Sequence, residues 1–250
     1  MQATDRLVAI LEAIAQSPEG AGVTEVSDRV GLPRSTVHRA LNSLVDHRLA
    51  AQDPSSRKYR LGMGILRLAS TLLEGNNLIA AAQPVLEDIR RDLQETVFLA
   101  VMDGAESICV AKVDGVNPLR YFVEIGRVLP FHCSASVKAM LAYAPAAMLD
   151  DLLSKRPLVA FTPRTKVNPD EYRREIKQVQ ERGYALCLEE FESGVNAMAV
   201  PVFGARGRPV ASITIVGPAS RLDASFMNRA VPRLRQAASD MSRALAGMRA

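Results

Sequence analysis

The sequence predicts an α+β protein in two parts: a small three-helix module closed by a β-hairpin, and a larger domain in which helices flank a mainly antiparallel sheet. Three observations carry this. Closely spaced amphipathic patterns, broken by Ser17-Pro18-Glu19-Gly20 and by Gly31, fill the N-terminal stretch. Basic residues crowd its second half. From about Leu78 onward, apolar runs separated by Asp-Gly turns alternate with helical segments.

The chain has 250 residues, 48% of them hydrophobic and 23% charged, which is ordinary globular composition with room for one small and one medium domain. It has no Trp, and no apolar run approaches the length of a membrane span, so no membrane partner is expected. Arg6 followed by Leu7-Val8-Ala9-Ile10-Leu11 has the look of a secretion signal. Glu12 interrupts that run, and Leu7, Ile10, Leu11 and Ile14 fall at helical spacing, which reads as a core-facing helix instead. Three cysteines, Cys109, Cys133 and Cys187, are odd in number and sparse, as suits a reducing cytoplasm without disulfides.

The first helix is expected over Thr4–Gln16 and the second over Thr24–Val30, with Thr24 as N-cap and Gly31 as stop signal. The third begins with Pro33 in its first turn and runs to about His47. Its residues separate into two faces. Val37, Leu41, Leu44 and Val45 form a stripe for burial, while Ser35, His38, Arg39 and Asn42 gather opposite, at about 100° per residue. Two short strands follow, Leu49–Gln52 and Arg57–Leu61, joined by Asp53-Pro54-Ser55-Ser56. A short helix, a Gly turn, a second helix with a hydrogen-bonding face and a basic hairpin make a winged helix-turn-helix. Arg pairs with guanine edges, Asn with adenine, and small hydroxyl side chains allow close approach to phosphate. Double-stranded DNA is therefore the expected partner, with Arg34, Ser35, Thr36, His38, Arg39, Asn42, Arg57 and Lys58 as contact residues. Charge agrees: between Arg29 and Arg60 seven basic residues face two acids, a local +5 in a chain whose net charge is +4.

Gly62-Met63-Gly64 marks a boundary, after which Ile65, Leu68, Ala69, Leu72 and Leu73 recur at helical spacing until Glu74-Gly75-Asn76-Asn77. A short amphipathic helix between domains cannot bury its own stripe, so we expect it to pair with a second copy and set two recognition helices on two half-sites. The expected division is 1–61 for DNA binding, 62–78 for the linker helix and 79–250 for the second domain. In the last, a helix is expected over Ala81–Gln94, then strands at Val97–Met102, Ser107–Val113 and Leu119–Val123. Helices follow at Ser136–Tyr143, Pro145–Leu153 and Pro169–Arg182, strands at Ala185–Glu189, Asn196–Phe203 and Pro209–Val216, and a last helix from Ala224 to the C-terminus. Sensor domains of this kind commonly hold a ligand against one face of the sheet.

The chain resembles the IclR family of bacterial transcriptional regulators over nearly its whole length. The resemblance rests on Gly31-Leu32-Pro33-Arg34-Ser35-Thr36-Val37-His38-Arg39-Ala40-Leu41 and Lys58-Tyr59-Arg60-Leu61-Gly62 in the first domain. In the second it rests on Gly126 through Ala139, Arg182-Gly183-Tyr184 through Glu189-Glu190, Gly194-Val195 through Val202, and Ile213 through Pro218. It implies a winged helix-turn-helix, a linker helix and a GAF-like effector domain that binds a small organic acid, in dimers that often pair into tetramers. Carried over position by position, it places the effector against Ala135, Ser136, Cys187, Ala197, Thr214 and Val216, with Ser134 and Val137 beside them. Ser134 and Ser136 stand where a helix should begin, and free N–H groups there favour a carboxylate. The chain departs from the family at Val137, usually Gly, at Cys187, often near an acid, and at Ala197, often Cys. Those departures point to an effector bulkier and less polar than glyoxylate or pyruvate, an aromatic or medium-chain carboxylate.

An enzyme is the other class to weigh. His132-Cys133-Ser134 sets two nucleophiles beside a base, but sequence neighbours rarely form such a pair, and no third orienting residue is evident. Glu189 and Glu190, adjacent on an expected strand, should face opposite ways. The cysteines and histidines lack zinc-ligand spacing, and no cofactor is expected. A sensor acting through protein partners, its DNA reading lost, is opposed by the basic wing and third helix.

Overall fold

The computed structural model describes residues 2–74, 77–104, 106–116, 123–204 and 207–247. The chain forms two compact units, Met1–Asn76 and Asn77–Ala250.

The first unit contains α1 (Ala3–Ala15), α2 (Val23–Val30), α3 (Arg34–Asp46), β1 (Ala50–Gln52), β2 (Tyr59–Leu61) and α4 (Met63–Glu74). Ile10, Ile14, Val26, Val37, Leu41, Leu44 and Tyr59 make one core. That core joins α1, α2 and α3 to the hairpin. β1 and β2 pair antiparallel with Gln52 opposite Tyr59, and Tyr59 also bridges to Ala21 in the turn before α2. Two helix starts differ from expectation. Extended Gly22, not Thr24, is the N-cap of α2, so Thr24 lies inside the first turn. Pro33 caps α3 from outside the helix rather than opening its first turn. Gly31 stops α2 in the left-handed conformation at φ +67°, which glycine adopts without strain. Gly62 serves close packing: a Cβ there would meet the Arg48 carbonyl oxygen at 2.2 Å. Along α4, Met63, Leu66 and Leu68 are exposed, while Leu72 and Leu73 fall among side chains outside those described.

The second unit runs α5 (Asn77–Leu93), β3 (Thr96–Asp103), β4 (Glu106–Val113), β5 (Val128–Leu129), α6 (Ala135–Leu141), α7 (Ala146–Lys155), α8 (Pro169–Arg182), β6 (Ala185–Leu188), β7 (Val195–Phe203), β8 (Pro209–Pro218) and α9 (Ala224–Gly247). The sheet is antiparallel throughout, in the order β5-β4-β3-β8-β7-β6. Of the strand expected at Leu119–Val123, residues 119–122 lie outside the described residues and Val123 is not in a strand. The two-residue β5 is too short to leave a periodic signal in sequence. Residues 248–250, expected to continue the last helix, also lie outside the described residues.

Both faces of the sheet are covered. Phe98, Ala197, Ala199 and Val216 pack toward α6 and α8, while their strand neighbours Val97, Leu99, Met198 and Ile215 pack toward α5 and α9. Successive side chains alternate between two apolar layers, which is why β7 and β8 are apolar almost without interruption.

Candidate functional site

The outer face of α3 is built by the burial of its inner one. With Val37, Leu41 and Leu44 in the core, Arg34, Ser35, His38, Arg39 and Asn42 are exposed and Thr36 is half-buried. The turn into the helix is fixed by Ser27, whose Oγ donates to the Leu32 carbonyl at 2.6 Å. Asn42 is not wholly free to read a base, because its Oδ1 accepts a 3.4 Å hydrogen bond from the Tyr59 hydroxyl. That contact ties the helix to the wing. Arg29, counted in the basic stretch, is spent inside the unit: it reaches the Ala13 carbonyl at 2.8 Å, Ser17 Oγ at 2.7 Å and Glu25 at 2.6 Å. The wing turn is ordered by Asp53, whose carboxylate accepts from the Ser55 and Ser56 hydroxyls and backbone N–H groups. Those bonds hold its pKa well below the usual carboxylate range. Arg57 and Lys58 stand exposed next to this turn.

In the second unit a cavity of about 50 Å³, partly open to solvent, lies between the sheet and the start of α6. Register explains its floor: Thr214 lies between Phe98 and Ala199, and Val216 and Cys187 flank Ala197 in the next row. Six of the expected effector positions, Ser134, Ala135, Cys187, Ala197, Thr214 and Val216, surround it. Ser136 and Val137 do not. The α6 helix turns them into the interior, where the Ser136 hydroxyl bonds Ser134 at 2.5 Å and Ser107 at 3.0 Å and Val137 is fully buried in the core.

The remaining lining was not anticipated: Phe98, Val123, Leu129, Phe191, Glu192 and Val195. Phe98 carried a signal, lying on an apolar strand in register with Thr214; the loop residues Phe191 and Glu192 carried none. The lining is apolar apart from Ser134, Thr214, Cys187 and Glu192, and no Lys or Arg lies in it among the described residues. Thr214 is 1% exposed and its hydroxyl has no hydrogen-bond partner. Burial pushes the Glu192 carboxyl above its ordinary pKa, with Arg127 opposing.

Behind the cavity wall is a cluster that sequence reading missed. The Lys138 ammonium, with no exposed side-chain surface, donates to Glu190 at 2.6 Å, Glu175 at 3.0 Å and the Leu186 carbonyl at 3.2 Å. Lys166 closes the other side of Glu175 at 2.8 Å. Burial alone would lower the Lys138 pKa, but the two carboxylates outweigh it and the value ends above that of an ordinary lysine. Lys138 thereby joins three segments that also line the cavity: the start of α6, strand β6 and the connection after it.

The groups weighed for catalysis are otherwise engaged. His132 Nε2 lies 2.8 Å from the Val159 carbonyl, to which it donates. Burial pushes the Cys133 thiol up to about 12, far from a thiolate at neutral pH. Glu189 is not on a strand, because its left-handed φ of +58° follows the end of β6 at Leu188. It pairs with Arg164 at 2.7 Å while Glu190 points inward to Lys138, so the two share no site. Among the described residues no His, Cys, Asp and Glu cluster is arranged to hold a metal, and no helix is long and apolar enough to cross a membrane.

Residues 3–54 match the IclR helix-turn-helix domain, and residues 70–243 match the domain described as bacterial transcriptional regulator IclR C-terminal. The chain is 31% identical over 245 residues to the HTH-type transcriptional regulator XynR of Escherichia coli, covering 98% of this chain and 97% of that protein. It is also 31% identical over 251 residues to the transcriptional repressor IclR of the same organism, covering 100% and 92%. An IclR homologue from Microbacterium hydrocarbonoxydans, crystallised with 4-hydroxybenzoate, superposes with a TM-score of 0.84 at 26% identity, covering 98% of this chain and 100% of that one. These relatives are transcriptional regulators and repressors by name, and the exposed face of α3 and the cavity sit in the two domains that the matches delimit. The chain belongs to the IclR family of bacterial transcriptional regulators, with a DNA-binding helix-turn-helix domain and a C-terminal effector-binding domain.

Proposed function

We propose that this regulator is a cytoplasmic homodimer, able to pair into a tetramer, whose operator affinity is set by an aromatic carboxylate held in the cavity. The observation that carries this is the cavity itself: apolar walls that include two phenyl rings, with an unpaired, buried Thr214 hydroxyl and no basic side chain among its described lining. Such a site rewards a flat apolar body and one polar group held by neutral donors. The homologue bound to 4-hydroxybenzoate supports the same class. A medium-chain carboxylate fits the apolar walls but makes less use of Phe98 and Phe191. The exposed Met63, Leu66 and Leu68 on α4 support pairing through that helix.

On DNA, α3 enters the major groove with Arg39 reading a base edge, while Lys58 on the wing neutralises a phosphate. Effector binding acts by linkage, changing operator affinity to the extent that the ligand prefers one arrangement of the dimer. Calorimetry with benzoate and glyoxylate tests the effector class: benzoate should bind more tightly, and equal or tighter binding of the two-carbon acid rejects it. A gel shift with the upstream DNA tests the reader. Arg39→Ala should relax or abolish sequence-specific binding. Lys58→Ala should weaken binding on every sequence and reduce the salt slope by about one.

A further inference from the structure

The cavity has a polar group at each end, and the two differ in kind. The buried lining carries two hydroxyls: Thr214, which is unpartnered, and Ser134, which bonds Ser136. Near the far end of the floor is a carboxylate. Glu192 belongs to the connection between β6 and β7, and among the described residues its side chain makes no hydrogen bond or ion pair. The Arg127 charge acts on Glu192, and its guanidinium also lies over the Phe191 ring at 5.3 Å.

Strand register sets the two ends apart. Thr214 is level with Ala199 on β7, and the floor continues through Ala197 to Val195, the last lining residue before the Glu192 loop. Four residues of strand span roughly 13 Å. Between the hydroxyls and Glu192 the walls are apolar and include Phe98, Leu129, Phe191 and Val216. One aromatic ring with a polar group at each pole bridges such a distance.

An ionised carboxylate only accepts hydrogen bonds. A ligand that offers Glu192 an apolar edge leaves it desolvated without a partner, and one that offers a second carboxylate repels it. Resting on the reading of this cavity as the effector site, we infer that Glu192 selects an effector carrying a hydrogen-bond donor, a hydroxyl or amine, at the end opposite its carboxylate. Thr214 and Ser134 take the effector's carboxylate, and Glu192 takes the donor.

The test is calorimetry on the full-length protein with 4-hydroxybenzoate, 4-aminobenzoate, benzoate and benzene-1,4-dicarboxylate, repeated on Glu192→Leu and Glu192→Gln. The hydroxy and amino compounds should bind roughly tenfold or more tightly than benzoate, the worth of a charge-assisted hydrogen bond at a partly exposed site. The dicarboxylate should bind more weakly than benzoate. Glu192→Leu should bring 4-hydroxybenzoate and benzoate within about twofold, and Glu192→Gln, whose amide oxygen still accepts, should keep part of the preference. Equal wild-type affinities for 4-hydroxybenzoate and benzoate, or a preference untouched in Glu192→Leu, overturn the inference and leave the effector reading standing. Tighter binding of 4-hydroxybenzoate by Glu192→Gln means the ligand carboxylate faces Glu192, and also overturns it. Binding of none of the four compounds overturns both.

Discussion

Lys138 and Thr214 are both shut away from solvent in the effector domain, and the structure treats them in opposite ways. Every proton of the Lys138 ammonium has an acceptor, two of them carboxylates, whereas the Thr214 hydroxyl has none. A buried charge cluster is costly to assemble, yet once complete it is hard to rearrange, because removing one member strands the others. An unpaired buried hydroxyl is the reverse: it costs roughly 1–3 kcal/mol as it stands, and a ligand that pairs with it recovers that cost. Saturated polarity braces the wall, and the proposed effector site keeps its polarity unsaturated.

The strongest way to break this contrast is Lys138→Met. With the ammonium gone, Glu175 and Glu190 stay buried with only half-exposed Lys166 beside them. The effector domain should lose about 3–5 kcal/mol, read as a lower urea midpoint. Adding Glu175→Gln and Glu190→Gln to that variant should restore much of the loss. A single variant as stable as wild type would mean the cluster holds nothing.

Thr214→Val should do the opposite. Stability should be unchanged or rise by about 1 kcal/mol as an unpaired hydroxyl disappears. Affinity for a carboxylate effector should fall about tenfold, or about 1.4 kcal/mol. A parallel fall in stability, followed by thermal melting, would place Thr214 with the structural groups instead.

His132 lies between the two cases and should show the smallest effect, under about 1.4 kcal/mol per pH unit. One ring nitrogen is bonded to the Val159 carbonyl and the other has no partner. Burial is the main reason its pKa lies below the ordinary histidine value of 6.5, outweighing the Val159 bond, with the Lys138 charge adding to the depression. The unfolded chain therefore takes up this proton first as pH falls. The stabilisation is full above about 6.5 and drains away as pH drops toward the lower folded value. His132→Gln should flatten that part of a stability-against-pH curve.

Much of the reader was legible in the sequence, because a helix-turn-helix is made of local signals. The stripe of Val37, Leu41 and Leu44 turns the polar face outward without help from distant residues. The helix starts at Gly22 and Pro33 were misjudged by a residue or two, since extended backbone capped those ends with no side-chain oxygen. The cavity was legible through family resemblance and not through pattern: Cys187, Ala197 and Thr214 look like plain strand residues until register brings them together. The Lys138 cluster was beyond reach. Its partners Glu175 and Glu190 are 37 and 52 residues away, and a lysine in a helical pattern reads as a solvated one. Arg29 misled in the other direction, a basic residue in a basic stretch that serves as an internal brace.

The sheet beneath the cavity is a partition one residue thick. Phe98 forms part of the cavity, and the residues on either side of it along β3, Val97 and Leu99, belong to the layer that includes Leu86 and Ile89 of α5. That helix opens the effector domain, directly after the chain leaves the DNA-binding unit. A strand displaced on one side is displaced on the other, so whatever fills the cavity and whatever packs against α5 are separated by a single layer of backbone.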